Sequence, residues 1–179
     1  MGGNDETKIF LILISFSLFV NLHGSSGKIP ENLSNNTKIY KEWINMGLGH
    51  GTLPFVINMA ISYNFGYRSF HQVAYNFFED HPLFGTPLHI VRAINYGMGV
   101  RKTNRFLHIS IFSGPAFSYI RREYKGSERS KKTVGIVINT QLFIKPIAEI
   151  GLGVELYYNL NFEKNVSAIR FSFHFNNTK

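Results

Sequence analysis

Six ionisable residues share one parity within alternating segments of this 179-residue chain. They are His89, His108, Glu149, Glu155, Arg170 and His174. An isolated buried charge is costly, so on an enclosed face these groups should be paired. Arg170 with either Glu149 or Glu155 is the natural ion pair, because the segments that carry them are adjacent. A path for protons or ions is the alternative interpretation of the same residues.

Neither a metal site nor a nucleotide site is predicted, and no cofactor is expected. The seven histidines are scattered, and no pair at ligand spacing has a third local ligand. The G-x-G sequences at Gly47, Gly97 and Gly151 do not open a helix after a strand, so they supply no phosphate site. These glycines share the parity of the ionisable residues, and we interpret them as space for bulky neighbours on that face. Those neighbours are Trp43, Phe106, Phe112, Phe143 and Tyr157.

A basic run occupies residues 121–132, with six basic and two acidic side chains. Such a run is usually solvated, and we predict a long loop over 122–132. Much of the formal net charge of +8 lies in this run and not along a helix or sheet face, so nucleic acid is not predicted as a partner. Attachment to anionic surface material is the functional interpretation.

The elements that must position these residues are strands, because apolar residues recur with period two from Ile39 onward. No window shows the spacing of an amphipathic helix. Short links near 65–67, 102–104 and 145–146 alternate with longer ones. The eight predicted strands cover residues 39–49, 53–64, 68–78, 88–100, 107–119, 134–144, 148–161 and 167–175.

Two kinds of barrel could produce this alternation, and the composition of the less apolar face distinguishes them. A soluble lipocalin-type barrel would carry many Lys and Glu residues on its outer face. Here that face holds mainly Gly, Ala, Ser and Asn, which suits a narrow interior. Apolar residues facing outward on strands of about 9–11 residues are typical of a transmembrane barrel. We therefore predict a closed eight-stranded antiparallel transmembrane β-barrel, with a secreted lipocalin-like carrier of an apolar ligand as the alternative.

The N-terminus resembles a secretory signal. The uncharged apolar run 9–22 is too short to cross a bilayer as a helix and is followed by the small residues 24–27. We assign residues 1–27 to a removed signal peptide, 28–37 to an irregular lead-in, 38–175 to the barrel and 176–179 to a C-terminal extension. The chain has no cysteine, which excludes a disulfide framework, a thiolate metal site and a cysteine nucleophile.

The export signal, the eight alternating strands and the last strand, 167–175, together resemble the small outer-membrane barrels of Gram-negative bacteria, the OmpA/OmpX-like class. The resemblance covers residues 38–175 in architecture. It implies a location in the bacterial outer membrane. We expect a structural or surface-interaction role without catalysis. The resemblance also implies that the barrel assembly machinery recognises the last strand, with Phe175 as its terminal aromatic residue.

Outer-membrane lipids, including lipopolysaccharide, are the expected partners. Arg92 is the one charge on an otherwise apolar row, and it lies near the outer end of its strand. From there its guanidinium can extend to the headgroups. A local bulge that turns Arg92 inward is the competing interpretation. The predicted surface-lipid contacts are Arg92, Arg121, Arg122, Arg129, Lys131 and Lys132.

One enzyme class enters through a second resemblance. His108-Ile-Ser110 is similar to the His-x-Ser part of the motif in outer-membrane lipid A deacylases, which would make Ser110 a nucleophile and His108 its base. The residue after the serine is Ile111, where the family carries Asn. Both residues also have inward parity, whereas a deacylase site must meet lipid. An esterase is therefore the third hypothesis.

Overall fold

The chain forms eight β-strands in a computed structural model that describes residues 42–52, 56–66, 69–80, 88–124, 126–147 and 149–176. The predicted signal peptide at 1–27 and the lead-in at 28–37 lie outside the described residues. Among the described residues, no helix is long and apolar enough to cross a membrane. The strands are β1 (Glu42–Gly51), β2 (Val56–Gly66), β3 (Phe70–Asp80), β4 (Leu88–Thr103), β5 (Leu107–Tyr124), β6 (Ser127–Ile144), β7 (Ile150–Asn161) and β8 (Val166–Asn176).

The strands form one closed barrel. Each strand pairs antiparallel with its neighbours in the chain, and β1 also pairs with β8 from Trp43 opposite Asn176 to Gly51 opposite Ala168. Closure leaves no edge over these residues, which is the condition for placing a sheet in hydrocarbon. The predicted fold class, a closed eight-stranded antiparallel β-barrel, is confirmed.

Side chains alternate between the two faces of the wall as the period-two pattern predicts. In β8, the inward residues Arg170, Ser172 and His174 are buried, whereas Phe171 and Phe173 between them are exposed. Aliphatic and aromatic residues dominate the outward face of every strand, while the inward face is largely small or polar. This is the reverse of a soluble barrel, whose apolar side chains would fill its interior.

The two ends of the barrel differ. At one end, which we call the terminus end, β1 begins, β8 ends, and the β2–β3, β4–β5 and β6–β7 connections are short. β5 and β6 are the longest strands, with 18 residues each, and at the opposite end they extend past their neighbours. We call this the hairpin end.

The basic run is part of this hairpin, so the predicted long loop over 122–132 is wrong. The ladder between β5 and β6 continues to Tyr124 opposite Ser127, and Gly126 has a φ of 77° in the turn. Arg121 and Glu128 reinforce the ladder with an ion pair of 2.9 Å across the strands. Both faces of the hairpin carry polar side chains, so the sequence there lacks the apolar–polar alternation by which the other strands were predicted. Backbone pairing does not require that alternation.

The glycines admit close contacts inside the barrel, as predicted. A Cβ atom on Gly153 would lie 1.9 Å from the carbonyl oxygen of Leu142 and 2.7 Å from the Cα of Phe143. Trp43, Phe112, Phe143 and Tyr157 are buried inward neighbours. Phe106 is an exception, because it lies exposed in the β4–β5 turn, where Asn104 Oδ1 accepts its backbone N–H at 2.9 Å.

Gly153→Ala should therefore destabilise the barrel by about 1–3 kcal/mol, because backbone atoms must move to admit the methyl group. Gly151→Ala is the matched control, since its nearest new contact would be the His174 Cβ at 3.2 Å. Urea unfolding of protein refolded in detergent micelles measures both. Equal stability of the two variants would contradict this account of the close approach.

Candidate functional site

A buried ion pair lies at the centre of the barrel interior. Arg170 Nη1 is 3.4 Å from Glu155 Oε2, and both side chains are almost fully buried. Their strands place them directly opposite each other in the β7–β8 ladder. The guanidinium also lies 4.5 Å from the centre of the Tyr157 ring, so its uncoordinated face contacts an aromatic surface.

Amide side chains from distant strands complete the shell around Arg170. Its Nε donates to Asn58 Oδ1, and its Nη2 donates to Asn76 Oδ1. Asn76 in turn donates to Asn95 Oδ1 at 2.6 Å. These bonds join β2, β3 and β4 to β8 through the interior, so the guanidinium connects strands that are far apart in the wall.

From Glu155 a polar chain continues toward the terminus end. Gln141 Nε2 donates to Glu155 Oε1 at 3.4 Å, and Ser110 Oγ donates to Gln141 Oε1 at 2.8 Å. His108 Nε2 lies 3.2 Å from Ser110 Oγ. The interior therefore holds one connected series of polar groups from His108 to Asn95.

Aromatic rings pack around the two histidines at the terminus end. The ring centres of His108 and His174 are 4.5 Å apart, and Trp43 and Phe143 pack against both. Arg101 lies over the Trp43 ring at 4.4 Å. In the β6–β7 turn, Lys145 donates to Thr103 Oγ1 at 2.8 Å. Burial and then the Arg101 charge lower the pKa of Lys145.

Four of the six predicted interior residues are brought into this network, namely His108, Glu155, Arg170 and His174. Glu155, and not Glu149, is the partner of Arg170. Glu149 lies one residue before β7, where its carbonyl oxygen accepts the backbone N–H of Asn176 at 2.7 Å. His89 has inward parity but lies near the hairpin end, 3.3 Å from Asp80 Oδ2.

Sequence reasoning missed Asn58, Asn76 and Gln141 as partners of the ion pair. Their inward parity was visible in the alternating pattern. Which of the many inward amides meets Arg170 depends on the register across nonadjacent strands, which the sequence does not state.

The geometry around Ser110 does not match an esterase site. Its hydroxyl is buried and donates to Gln141, whereas a nucleophilic serine must give its proton to the adjacent base. Within the described part of the chain, no group of three His, Asp or Glu side chains is placed to hold a metal ion.

The predicted lipid-contact residues separate onto two faces. Arg92 is outward and exposed, with continuous pairing to Phe77 and Tyr119, so no bulge turns it inward. Lys132 lies directly opposite Tyr119 on the other side, which places Arg92 and Lys132 two strands apart, roughly 10 Å. Arg121 is also outward and is held by Glu128 and, at 3.6 Å, by Glu123.

The other three cations line the mouth of the barrel at the hairpin end. Arg122, Arg129 and Lys131 border a cavity of about 180 Å³ together with Ile120 and Glu163. Lys131 forms an ion pair of 2.9 Å with Glu163. Burial, followed by the Arg122 charge, lowers the pKa of nearby Lys164, while Asp80 acts in the opposite direction. Positive charge is therefore concentrated at this mouth.

Comparison with known proteins gives likeness in structure alone. No family model and no curated protein sequence matches the chain. Ail, the attachment invasion locus protein of Yersinia pestis, is 9% identical with a TM-score of 0.58, covering 78% of this chain and 100% of Ail. Neisserial surface protein A is 9% identical with a TM-score of 0.60, covering 76% and 96%. The N-terminal barrel of Pseudomonas aeruginosa OprF is 14% identical with a TM-score of 0.56, covering 77% and 98%.

The fold is that of a small outer-membrane β-barrel. This finding confirms the architectural resemblance seen in the sequence. At such low identity it extends to the backbone and not to ligands or residue roles.

The central ion pair yields a stability prediction. Arg170→Leu should cost about 3–5 kcal/mol, because it leaves the Glu155 carboxylate buried without its cation. Adding Glu155→Gln should recover part of that loss. Urea unfolding of the two single variants and the double variant measures the coupling, with Glu149→Gln as the matched carboxylate control. Strictly additive effects would show that the two residues do not stabilise each other.

Proposed function

We propose that this protein spans the outer membrane of a Gram-negative bacterium and has a structural or surface-interaction role without catalysis. The apolar outward belt with cations at its hairpin-end rim carries the proposal. Such a belt is unfavourable in water and favourable in hydrocarbon. The cations then lie at the level of the headgroups, where charge is inexpensive.

Aromatic residues at the terminus end support this placement. Tyr63, Phe65, His71 and Tyr96 form a stacked series across the outward face of β2, β3 and β4, with neighbouring ring centres 5.3–5.9 Å apart. His71 Nδ1 and the Tyr96 hydroxyl are also 2.7 Å apart. Rings with polar groups favour the boundary between hydrocarbon and water, so this series suits the inner rim of the belt.

The packing of the interior favours a filled lumen. The rings around Trp43 occupy the terminus end and the Arg170 network the middle. Phe78, Val91, Ile120 and Tyr157 belong to an apolar cluster toward the hairpin end. An eight-stranded interior is just wide enough for side chains, whereas open channels need about 16 strands. A structural role therefore fits better than solute passage.

Lipopolysaccharide is the proposed surface partner. Arg92, Arg121 and Lys132 face outward near the belt rim, while Arg122, Arg129 and Lys131 present charge at the mouth. Arginine binds phosphate bidentately, and lysine acts as a point charge. A structure of Ail exists in complex with the heparin analogue sucrose octasulfate, so a barrel of this fold can hold a polyanion.

Residues 28–179 should behave as a membrane barrel when purified. In detergent, unboiled protein should migrate differently from boiled protein on a denaturing gel and give a β-type circular dichroism spectrum. Detergent is required because the outward apolar belt would otherwise drive association. Recovery of a soluble monomer without detergent would instead favour a lipocalin-like carrier.

Lipopolysaccharide should raise the unfolding free energy of the wild-type protein in bilayers more than that of Arg92→Leu or Lys132→Gln. The expected difference is about 1 kcal/mol for each cation removed. Lys102→Gln is the matched control, since Lys102 is an outward cation near the other end of β4. If lipopolysaccharide stabilises all four proteins equally, neither Arg92 nor Lys132 contributes to such a contact.

A further inference from the structure

The outward wall contains an apolar groove over β8, β1, β2 and β3. Its floor is the backbone of the directly paired Gly47 and Ala60, because these residues have inward parity and place no side chain between their outward neighbours. Its volume is about 610 Å³. The walls are two rows of outward side chains, Phe171, Leu48, Met59 and Phe77 on one side and Phe173, Met46, Ile61 and Tyr75 on the other.

The groove slopes along the barrel because the strands are tilted. The slope is measured by following directly paired residues once around the barrel. The path begins at Lys102 on β4 and crosses β5, β6 and β7 to Phe171. It then follows the groove wall to Arg92, again on β4. One complete turn thus ends ten residues nearer the hairpin end than it began. The Phe77 end of the groove is therefore the end nearer the hairpin end of the barrel, and Phe171 lies toward the middle of the wall.

Arg92 lies beside the Phe77 end of the groove. The guanidinium carbon is 6.0 Å from the centre of the Phe77 ring, and the same ring forms part of the groove wall. Arg92 forms no ion pair with another residue of the described ranges. The groove therefore has an apolar body and one cationic end.

We infer that this groove seats one acyl chain of an anionic phospholipid, one of net negative charge, with the lipid phosphate bound by Arg92. The inference rests on the proposed membrane location, although it does not depend on the hairpin contacts. The charge pattern favours a lipid over a second copy of the chain. No carboxylate is among the described residues that line the groove, so the lining of a second copy docked there would supply no anion to Arg92. A lipid supplies the anion and the chain in the observed order, headgroup at the rim and chain toward the membrane centre.

A second outward groove provides an internal control. It has a volume of about 530 Å³ and is lined by residues of β6, β7, β8 and the end of β1, including Thr140, Leu156 and Ile169. Neither arginine nor lysine is among its described lining residues. This groove offers an acyl chain a similar space but has no arginine or lysine in the described part of its lining to bind the headgroup.

Quenching by brominated lipids tests the inference. Met59→Trp places an indole in the wall of the first groove, and Leu156→Trp places one in the control groove. The native Trp43 is buried inside the barrel and contributes a constant background. Each variant is refolded into phosphatidylcholine vesicles free of lipopolysaccharide, and folding is verified by gel migration before and after boiling. Phosphatidylglycerol or phosphatidylcholine with chain-brominated tails is then titrated in.

In Met59→Trp, the anionic lipid should displace the neutral one with about five-fold preference. Arg92→Gln in the same background should reduce that preference to the value of Leu156→Trp, which should be near one. Leu48→Trp replaces Met59→Trp if the latter does not refold. Equal preference at both grooves, or a preference that survives Arg92→Gln, overturns the inference. Absence of quenching by either lipid together with a crosslinked dimer also overturns it and identifies a second copy as the occupant.

Because these vesicles contain no lipopolysaccharide, the result is independent of the proposed hairpin contacts. Loss of lipopolysaccharide stabilisation with intact groove selectivity would reject the surface partner alone. Intact lipopolysaccharide stabilisation together with loss of groove selectivity would reject the groove site alone.

Discussion

The pairing of β1 with β8 is the constraint on which the rest of the structure depends. A sheet in hydrocarbon has no water to satisfy backbone groups at an edge, so the wall must close. Closure with eight strands leaves an interior only as wide as its side chains. The glycines that admit close backbone contacts and the compact polar residues facing inward both follow from this limited width.

A narrow interior also explains why its polar groups form a network. Arg170 cannot reach bulk water, so its charge must be balanced by Glu155 and its remaining donors by Asn58 and Asn76. Asn58 and Asn76 come from β2 and β3, which do not pair with β8. The interior therefore couples the wall across the barrel, in addition to the ladders that couple it around the circumference.

The sequence predicted the features that period two controls. The number of strands follows from counting the alternating segments. The inward or outward parity of each residue, including the outward position of Arg92, follows from alternation along its own strand. Features that depend on contacts between strands were less accessible: Arg170 had two candidate partners, and only the register between β7 and β8 selects Glu155. The hairpin was mistaken for a loop because water on both faces removes any reason for polar and apolar residues to alternate. Phe106 was misplaced because the inward parity assigned to it does not extend into the β4–β5 turn, which Asn104 organises.

The unequal lengths of β6 and β7 leave a free border on one side of the hairpin. β7 pairs with β6 only from Gly135 onward, so no described strand covers that side of Ser127–Val134. Such a border is a template for strand addition by a neighbouring molecule, and charged side chains are the usual protection against it. Glu128, Arg129, Lys131 and Lys132 lie along this border. The same side chains thus oppose the pairing of a neighbouring molecule with this border of the hairpin.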